Sequence, residues 1–330
     1  MKVIITGGGG FLGNQLARAL LKKGKLTGTS GENETIDDLL IFDRQISEEA
    51  TKGLENRTTF IEGDISNRET VNGLFDRNDI SVFHLASVVS GEGEQNFDLA
   101  MKVNLEGGLN VFGACRNLDS LPRVVFASSV AVFGGSRMPK VVSDTTKPGP
   151  QTTYGVTKFT CELLINDYSR KGFLDGRSAR LPTIFIRPGK PNAAASSFAS
   201  SVFREPLNGQ ACELPVSRDQ EHPMLGYRNT VECFIRLHEL PSECLGDDRA
   251  FNLPSRTYSI AQMIDALEKV ANKKGIRLGP ILDRPDPVIR EIVATWPTAT
   301  DGSRALELGL PLDESPEQVI RDYIEDFLHN

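Results

Sequence analysis

The segment from Lys2 to Gly13 reads KVIITGGGGFLG and constrains everything that follows it. A short apolar strand runs into four consecutive glycines, and a helix opens at Phe11. Gly7, Gly10 and Gly13 stand in the spacing G-x-x-G-x-x-G. Gly7 permits the sharp strand-to-helix turn, Gly10 lets backbone approach a pyrophosphate, and Gly13 lets the helix lie close on its strand. The N–H groups at the start of the helix, around Phe11 and Leu12, then meet the phosphates with the positive end of the helix dipole. A glycine triplet alone is a weak signal, and a flexible turn would show it too. Here it follows an Ile-Ile strand and precedes an amphipathic helix with Leu12, Leu16, Ala17, Leu20 and Leu21, which is the context of a dinucleotide site.

Composition sets outer bounds. A chain of 330 residues can bury a large core and is expected to hold one large domain and a smaller partner. The net charge of −7 argues against nucleic acid and against an anionic membrane surface, and no Lys/Arg run is denser than Lys22-Lys23 with Lys25, which suits a helix C-terminus. Five scattered cysteines form no C-x-x-C pair and suit reduced thiols in a cytoplasm. Met1 leads directly into the first strand, so no signal peptide is expected, and no apolar run approaches the ~20 residues that span a bilayer.

Apolar strands at Lys2–Thr6, Leu39–Asp43, Thr58–Glu62, Val82–Ala86, Val124–Ser128 and Thr183–Arg187 alternate with helical patterns at Phe11–Lys23, Arg68–Arg77, Phe97–Leu118 and Tyr154–Lys171. That alternation predicts an α/β fold, a doubly wound parallel sheet with helices on both faces. Gly24 to Asp37 reads as a polar loop. After Arg187 the pattern breaks at Pro188-Gly189-Lys190-Pro191-Asn192, and Ala193 to Ser201 is a run of small residues. Residues 1–187 are therefore expected to form the dinucleotide domain, with a return segment at about 225–250, and 188–330 a smaller substrate domain. Helices are expected at Asn229–Leu240, at Ile260–Asn272 capped by Thr257 or Ser259, and at Ser315–Leu328 with Ser315 as cap. Pro280 to Pro297 reads as loop.

Asp43 closes the strand LLIFD, where a carboxylate accepts hydrogen bonds from adenosine ribose and repels a 2′-phosphate. NAD is favoured over NADP, although Arg44 blurs the preference. Asp64 and Ile65 are expected at the adenine, and Leu85, Ala86 and Ser87 beneath the pyrophosphate and nicotinamide ribose. His84 reads as a packed strand histidine. Tyr154 and Lys158 share one helix face at i, i+4, and an ammonium beside a phenol favours the phenolate. Tyr154 would take the proton from a substrate hydroxyl, and Lys158 would tune it and hold the ribose. Ser129, at the strand end SSVAVFG, would orient the same oxygen, with Ser128 the lesser candidate. No grouping of metal-type ligands stands out.

In order along the chain, TGGGGFLG, Asp64-Ile65, His84-Leu-Ala, Asn104, SSVAVFG, YGVTK and Arg187-Pro188-Gly189 resemble the extended short-chain dehydrogenase/reductase pattern over residues 1–190. The resemblance implies a Rossmann sheet, bound NAD with contacts that include Ser128 and Pro188, a Ser129/Tyr154/Lys158 catalytic set, and Asn104 in support of a proton relay. Phe133 departs from the Tyr usual in nucleotide-sugar epimerases. The stretch Arg180–Gln210, with Ile292-Val293 and Trp296-Pro297, is similar to the subgroup that oxidises the four-carbon sugar acid D-erythronate at C2. For such an acid, Lys190, Asn192, Ser196, Ser197 and Arg228 are candidate hydroxyl and carboxylate partners. A nucleotide-sugar 4-epimerase and an L-threonine dehydrogenase are the alternatives, and a catalytically idle dinucleotide sensor is a third. The resemblance also implies a homodimer through the helices Phe97–Leu118 and Tyr154–Lys171.

Overall fold

A computed structural model describes residues 1–189 and 195–328. Its centre is a seven-stranded sheet in which every neighbouring pair runs parallel. Across the sheet the strands are Ala250–Asn252, Asp175–Leu181, Arg123–Ser129, Ile80–His84, Lys2–Thr6, Asp38–Asp43 and Thr58–Glu62. The chain order reverses between Lys2–Thr6 and Ile80–His84, where Thr6 pairs with His84. This reversal opens a crevice at the carboxyl ends of the strands, the usual ligand position in such sheets. One face packs on Leu16, Leu20, Phe234 and Leu237, the other on Val111, Phe112, Cys161 and Ile165. The Rossmann expectation therefore holds.

The strand Lys2–Thr6 and the helix Phe11–Lys23 have the expected bounds. The helix stops at Gly24 in the left-handed region, with Lys22 and Lys23 in the last turn. Ser259 caps Ile260–Lys274 in a reciprocal box with Gln262, and Ser315 caps Pro316–Phe327.

Five departures have physical reasons. The Gly24–Asp37 loop contains a hairpin of two three-residue strands, Lys25–Thr27 and Asn33–Thr35, too short to show a pattern. The expected helix from Arg68 ends at Asn72, followed by Gly73. Phe97–Arg116 is helical but interrupted by a π-helical segment, Met101–Glu106. Thr183–Arg187 is not the next strand of the central sheet. That place belongs to Asp175–Leu181, while Thr183–Phe185 pairs with Glu221–Gly226 in a three-stranded sheet completed by Arg256–Ser259. The missed strand, DGRSARL, carries three charges; Arg177 is fully buried because Asp175 accepts from it at 2.8 Å. Finally, the proline-rich stretch holds a helix, Pro287–Ala294, capped by Asp286 with Pro287 at its first turn.

The small sheet and the helices Phe198–Leu207 and Ile260–Lys274 enclose a second core containing Phe185, Phe203, Met263 and Leu267. The helix Tyr227–Glu239 and the strand Ala250–Asn252 return to the large sheet. Leu181 ends one sheet and Thr183 begins the other, with Pro182 alone between them.

Candidate active site

The glycine turn has the geometry its sequence asks for. Gly7 adopts φ 72°, and a Cβ there would lie 2.6 Å from the Ala86 nitrogen. A Cβ on Gly13 would fall on the Gly7 carbonyl oxygen and 2.6 Å from Gly8 Cα, so the helix can seat only with glycine. Gly10 differs: a Cβ there would meet Gly7 oxygen alone, at 3.3 Å, so its other side is open. Gly10 caps the helix without a side-chain bond, which leaves first-turn amides of Phe11, Leu12 and Gly13 for an incoming phosphate. The Phe11 ring turns away and packs against Tyr227 and Phe327 at 5.4 and 5.9 Å. Pro188 lines the groove above the turn together with Gly9, Gly10 and Phe11.

Asp43 ends its strand beside this turn. Its Oδ2 accepts from Gly9 N at 3.0 Å and its Oδ1 from Arg44 N at 2.7 Å. Burial pushes the carboxyl up, against these backbone donors, which hold it down. Two carboxylate oxygens still have lone pairs for ribose hydroxyls. Asp64 is exposed, bonded to the Ser66 hydroxyl at 2.6 Å and paired with Lys102 at 3.5 Å, while Ile65 is buried against Gly107. Leu85 and Ala86 follow directly under the turn, with Ala86 N donating to Thr6 at 3.4 Å. His84 bonds Thr6 at 2.6 Å, and burial drives it down to about 3, a neutral packed ring. The open amides, the close glycines and the strand-end carboxylate fit a dinucleotide.

Asn104 sits in the π-helical segment and is buried. Its Oδ1 accepts from Val88 N at 2.7 Å and from the Ser87 hydroxyl at 3.1 Å, and its Nδ2 donates to Thr157 at 3.3 Å. It thereby ties the loop after the fourth strand to the helix Thr153–Arg170, which carries Tyr154 and Lys158.

Lys158 is almost fully buried, and its Nζ donates to Ala127 O at 2.8 Å. It stands 5.5 Å from the centre of the Tyr154 ring. Burial lowers it to about 8, with Cys161 and Glu162 acting in the opposite sense. Burial also pushes the Tyr154 phenol up to about 12, offset by the Ser129 hydroxyl. This corrects the sequence expectation that the ammonium draws the phenol down: the ammonium is aimed at a carbonyl, and desolvation dominates. Ser129 accepts from Ala131 N at 3.1 Å and faces the same cleft as Tyr154. Ser128 points elsewhere. Neighbours along a strand face opposite sides, and its hydroxyl donates to buried Glu162 at 2.5 Å, itself held by Arg180 at 2.8 Å.

A cleft of about 210 Å³ joins the two sheets. Ser129, Tyr154, Ser196 and Ser197 all line it, so the structure unites four of the residues singled out from sequence. It adds Ser90, Thr183, Arg187 and Trp296. Arg187 was visible only as part of a family pattern, and Trp296 arrives from a distant loop, so no local spacing marked them. Arg228 is displaced from its expected role. Its guanidinium is held by Asp322, Glu325 and Asp326 of the terminal helix at 3.0, 3.0 and 2.6 Å, outside the cleft. Lys190 and Asn192 lie outside the described residues. Among the described residues no cluster could hold a metal ion, and no helix is long and apolar enough to cross a membrane.

Residues 3–253 match the profile of the NAD dependent epimerase/dehydratase family. The chain belongs to that family. It is an NAD-dependent dehydrogenase that acts on a CH–OH group, of the extended short-chain type. D-erythronate dehydrogenase of Cupriavidus necator is 46% identical over 331 residues, covering 99% of this chain and 98% of that protein. The D-erythronate dehydrogenase of Haemophilus influenzae is 40% identical, covering 98% and 99%. A crystal structure described as a nucleoside-diphosphate-sugar epimerase from Agrobacterium tumefaciens superposes with a TM-score of 0.89 at 37% identity, covering 99% of this chain and 94% of that one.

Proposed function

We propose that the protein oxidises D-erythronate at C2 to the 2-keto acid. The observation that carries the reading is the convergence of Ser129 and Tyr154 on one small cleft lined also by Ser90, Ser196, Ser197 and Arg187. The two full-length relatives named for this activity support it. NAD would be held by the Gly7–Gly13 turn, Asp43, the Asp64-Ile65 corner, the Leu85–Ser87 loop and Lys158, and would supply the hydride acceptor. Ser129 orients the reacting hydroxyl, and Tyr154 takes its proton as the C2–H electron pair leaves. Asn104 and Thr157 fix the Tyr154 helix against the loop beneath. The substrate-binding unit, expected from residue 188, begins with the strand Thr183–Phe185 of the small sheet, with the segment at about 225–250 returning to the cofactor side. Free, mostly buried cysteines suit a cytoplasmic protein. Exposed Phe97, Leu109, Val156 and Leu163 on the two helices Phe97–Arg116 and Thr153–Arg170 suit a homodimer.

Purified protein with NAD and D-erythronate should generate NADH absorbance, and Tyr154→Phe should cut turnover about 10²-fold or more while NAD still binds. The Agrobacterium structure is described as a nucleoside-diphosphate-sugar epimerase, and the same assay separates the two activities. An epimerase interconverts a nucleotide sugar without net NADH, so interconversion of UDP-hexoses with no NADH from D-erythronate or L-threonine would replace the first reading.

A further inference from the structure

Within that reading, we infer that Arg187 is the group that binds the substrate's carboxylate and makes the enzyme select acids. Among the described residues lining the cleft, Arg187 carries the one formal charge; no carboxylate lines it. The catalytic pair Ser129 and Tyr154 contributes to the same cleft, so an acid bound to Arg187 shares its space with the reacting hydroxyl.

The arginine's main chain is fixed at both ends. Its N–H donates to the Ser200 hydroxyl at 3.0 Å, and its carbonyl accepts from Arg204 Nη1 at 2.9 Å. Both partners come from the helix Phe198–Leu207 and are buried. Arg204 is in turn held by Ser201 at 2.9 Å and by Glu205 at 2.6 Å. The run of small residues thus has a use: its serines cap main-chain and guanidinium groups and let the helix come close behind Arg187. Such anchoring fixes the main chain from which the Arg187 side chain reaches, so less backbone ordering falls on binding.

Burial, and then the neighbouring cation Arg204, lower the Arg187 guanidinium, with Glu205 acting in the opposite sense. A planar fork also meets a carboxylate with two parallel bonds, which a lysine cannot do. A small cleft with one arginine on an anchored main chain therefore suits a short hydroxy acid, with the carboxylate at Arg187 and the adjoining carbon's hydroxyl at Tyr154.

The test compares D-erythronate with its neutral amide, D-erythronamide, in steady-state NADH production. Arg187→Met should raise KM for D-erythronate roughly 10- to 100-fold, leave KM for NAD unchanged and erase the preference for acid over amide. Arg187→Lys should fall between, since it keeps the charge and loses the fork. It also serves if the methionine variant does not fold. If wild-type protein forms no NADH from D-erythronate, the substrate reading fails. If it does, and the Arg187 variants keep wild-type KM and acid preference, this inference fails alone. It fails equally if Lys190→Met, rather than Arg187→Met, abolishes acid preference.

Discussion

Lys158 is held by two opposing demands. The proposed role asks for an ammonium beside the reaction, yet burial favours the neutral amine and brings it down to about 8. The linkage has a definite sign. Below that value folded and unfolded chains both carry the proton, and the full cost of the buried cation is present. Between about 8 in the folded chain and ~10.4 in the unfolded one, folding releases the proton, so this residue's contribution to stability improves as pH rises. Lys158→Met should therefore raise the melting temperature near neutral pH while turnover collapses, and the gain over wild type should shrink towards about pH 10. Thermal melts of both proteins across that range check it; a gain independent of pH would contradict it. Tyr154 leans the same way. With its phenol pushed up to about 12, oxidation should speed up as the medium becomes more alkaline, and a rate flat from about pH 6 to about pH 10 would exclude a phenolate base. At this scale the candidate trio Ser129, Tyr154 and Lys158 could be picked out because each sits in a short local motif. Their protonation could not, because depth of burial is a property of the assembled fold.

Among the elements, the glycine turn separates folding from binding. Gly13→Ala forces a methyl into the Gly7 and Gly8 backbone, which cannot yield like a side chain, and should cost about 1–3 kcal/mol of stability. Gly10→Ala meets only one carbonyl, at 3.3 Å, so the apoprotein should melt nearly as wild type while NAD affinity drops. Calorimetry with and without NAD distinguishes the two; equal effects of both variants on the apoprotein would refute the division. The turn was readable because strand, glycines and helix are contiguous. The strand Asp175–Leu181 was not, since Arg177 and Arg180 mask its β pattern and are tolerated only because Asp175 and Glu162 meet them inside the fold. For the helix Pro287–Ala294 the signal was present, Asp286 followed by Pro287, but the surrounding prolines read as loop.

For the whole molecule, the exposed apolar residues of the two helices Phe97–Arg116 and Thr153–Arg170 give the expected dimer a concrete test. Light scattering at micromolar concentration should give twice the chain mass of 36.1 kDa, and Leu163→Asp, at a position 54% exposed, should return it to one. A wild-type monomer would remove the dimer. The cleft itself was only half legible, because it gathers side chains from segments more than 100 residues apart, Ser90 to Trp296. Its floor has a mechanical consequence. Leu181 is registered against Ser129 in the large sheet, and Pro182 alone separates it from the small sheet. A proline has a fixed φ and little slack. The joint behaves as a stiff crank rather than a tether: torque on the smaller sheet reaches the backbone beside Ser129 undamped, and lengthening that corner by a few flexible residues would uncouple grip from chemistry.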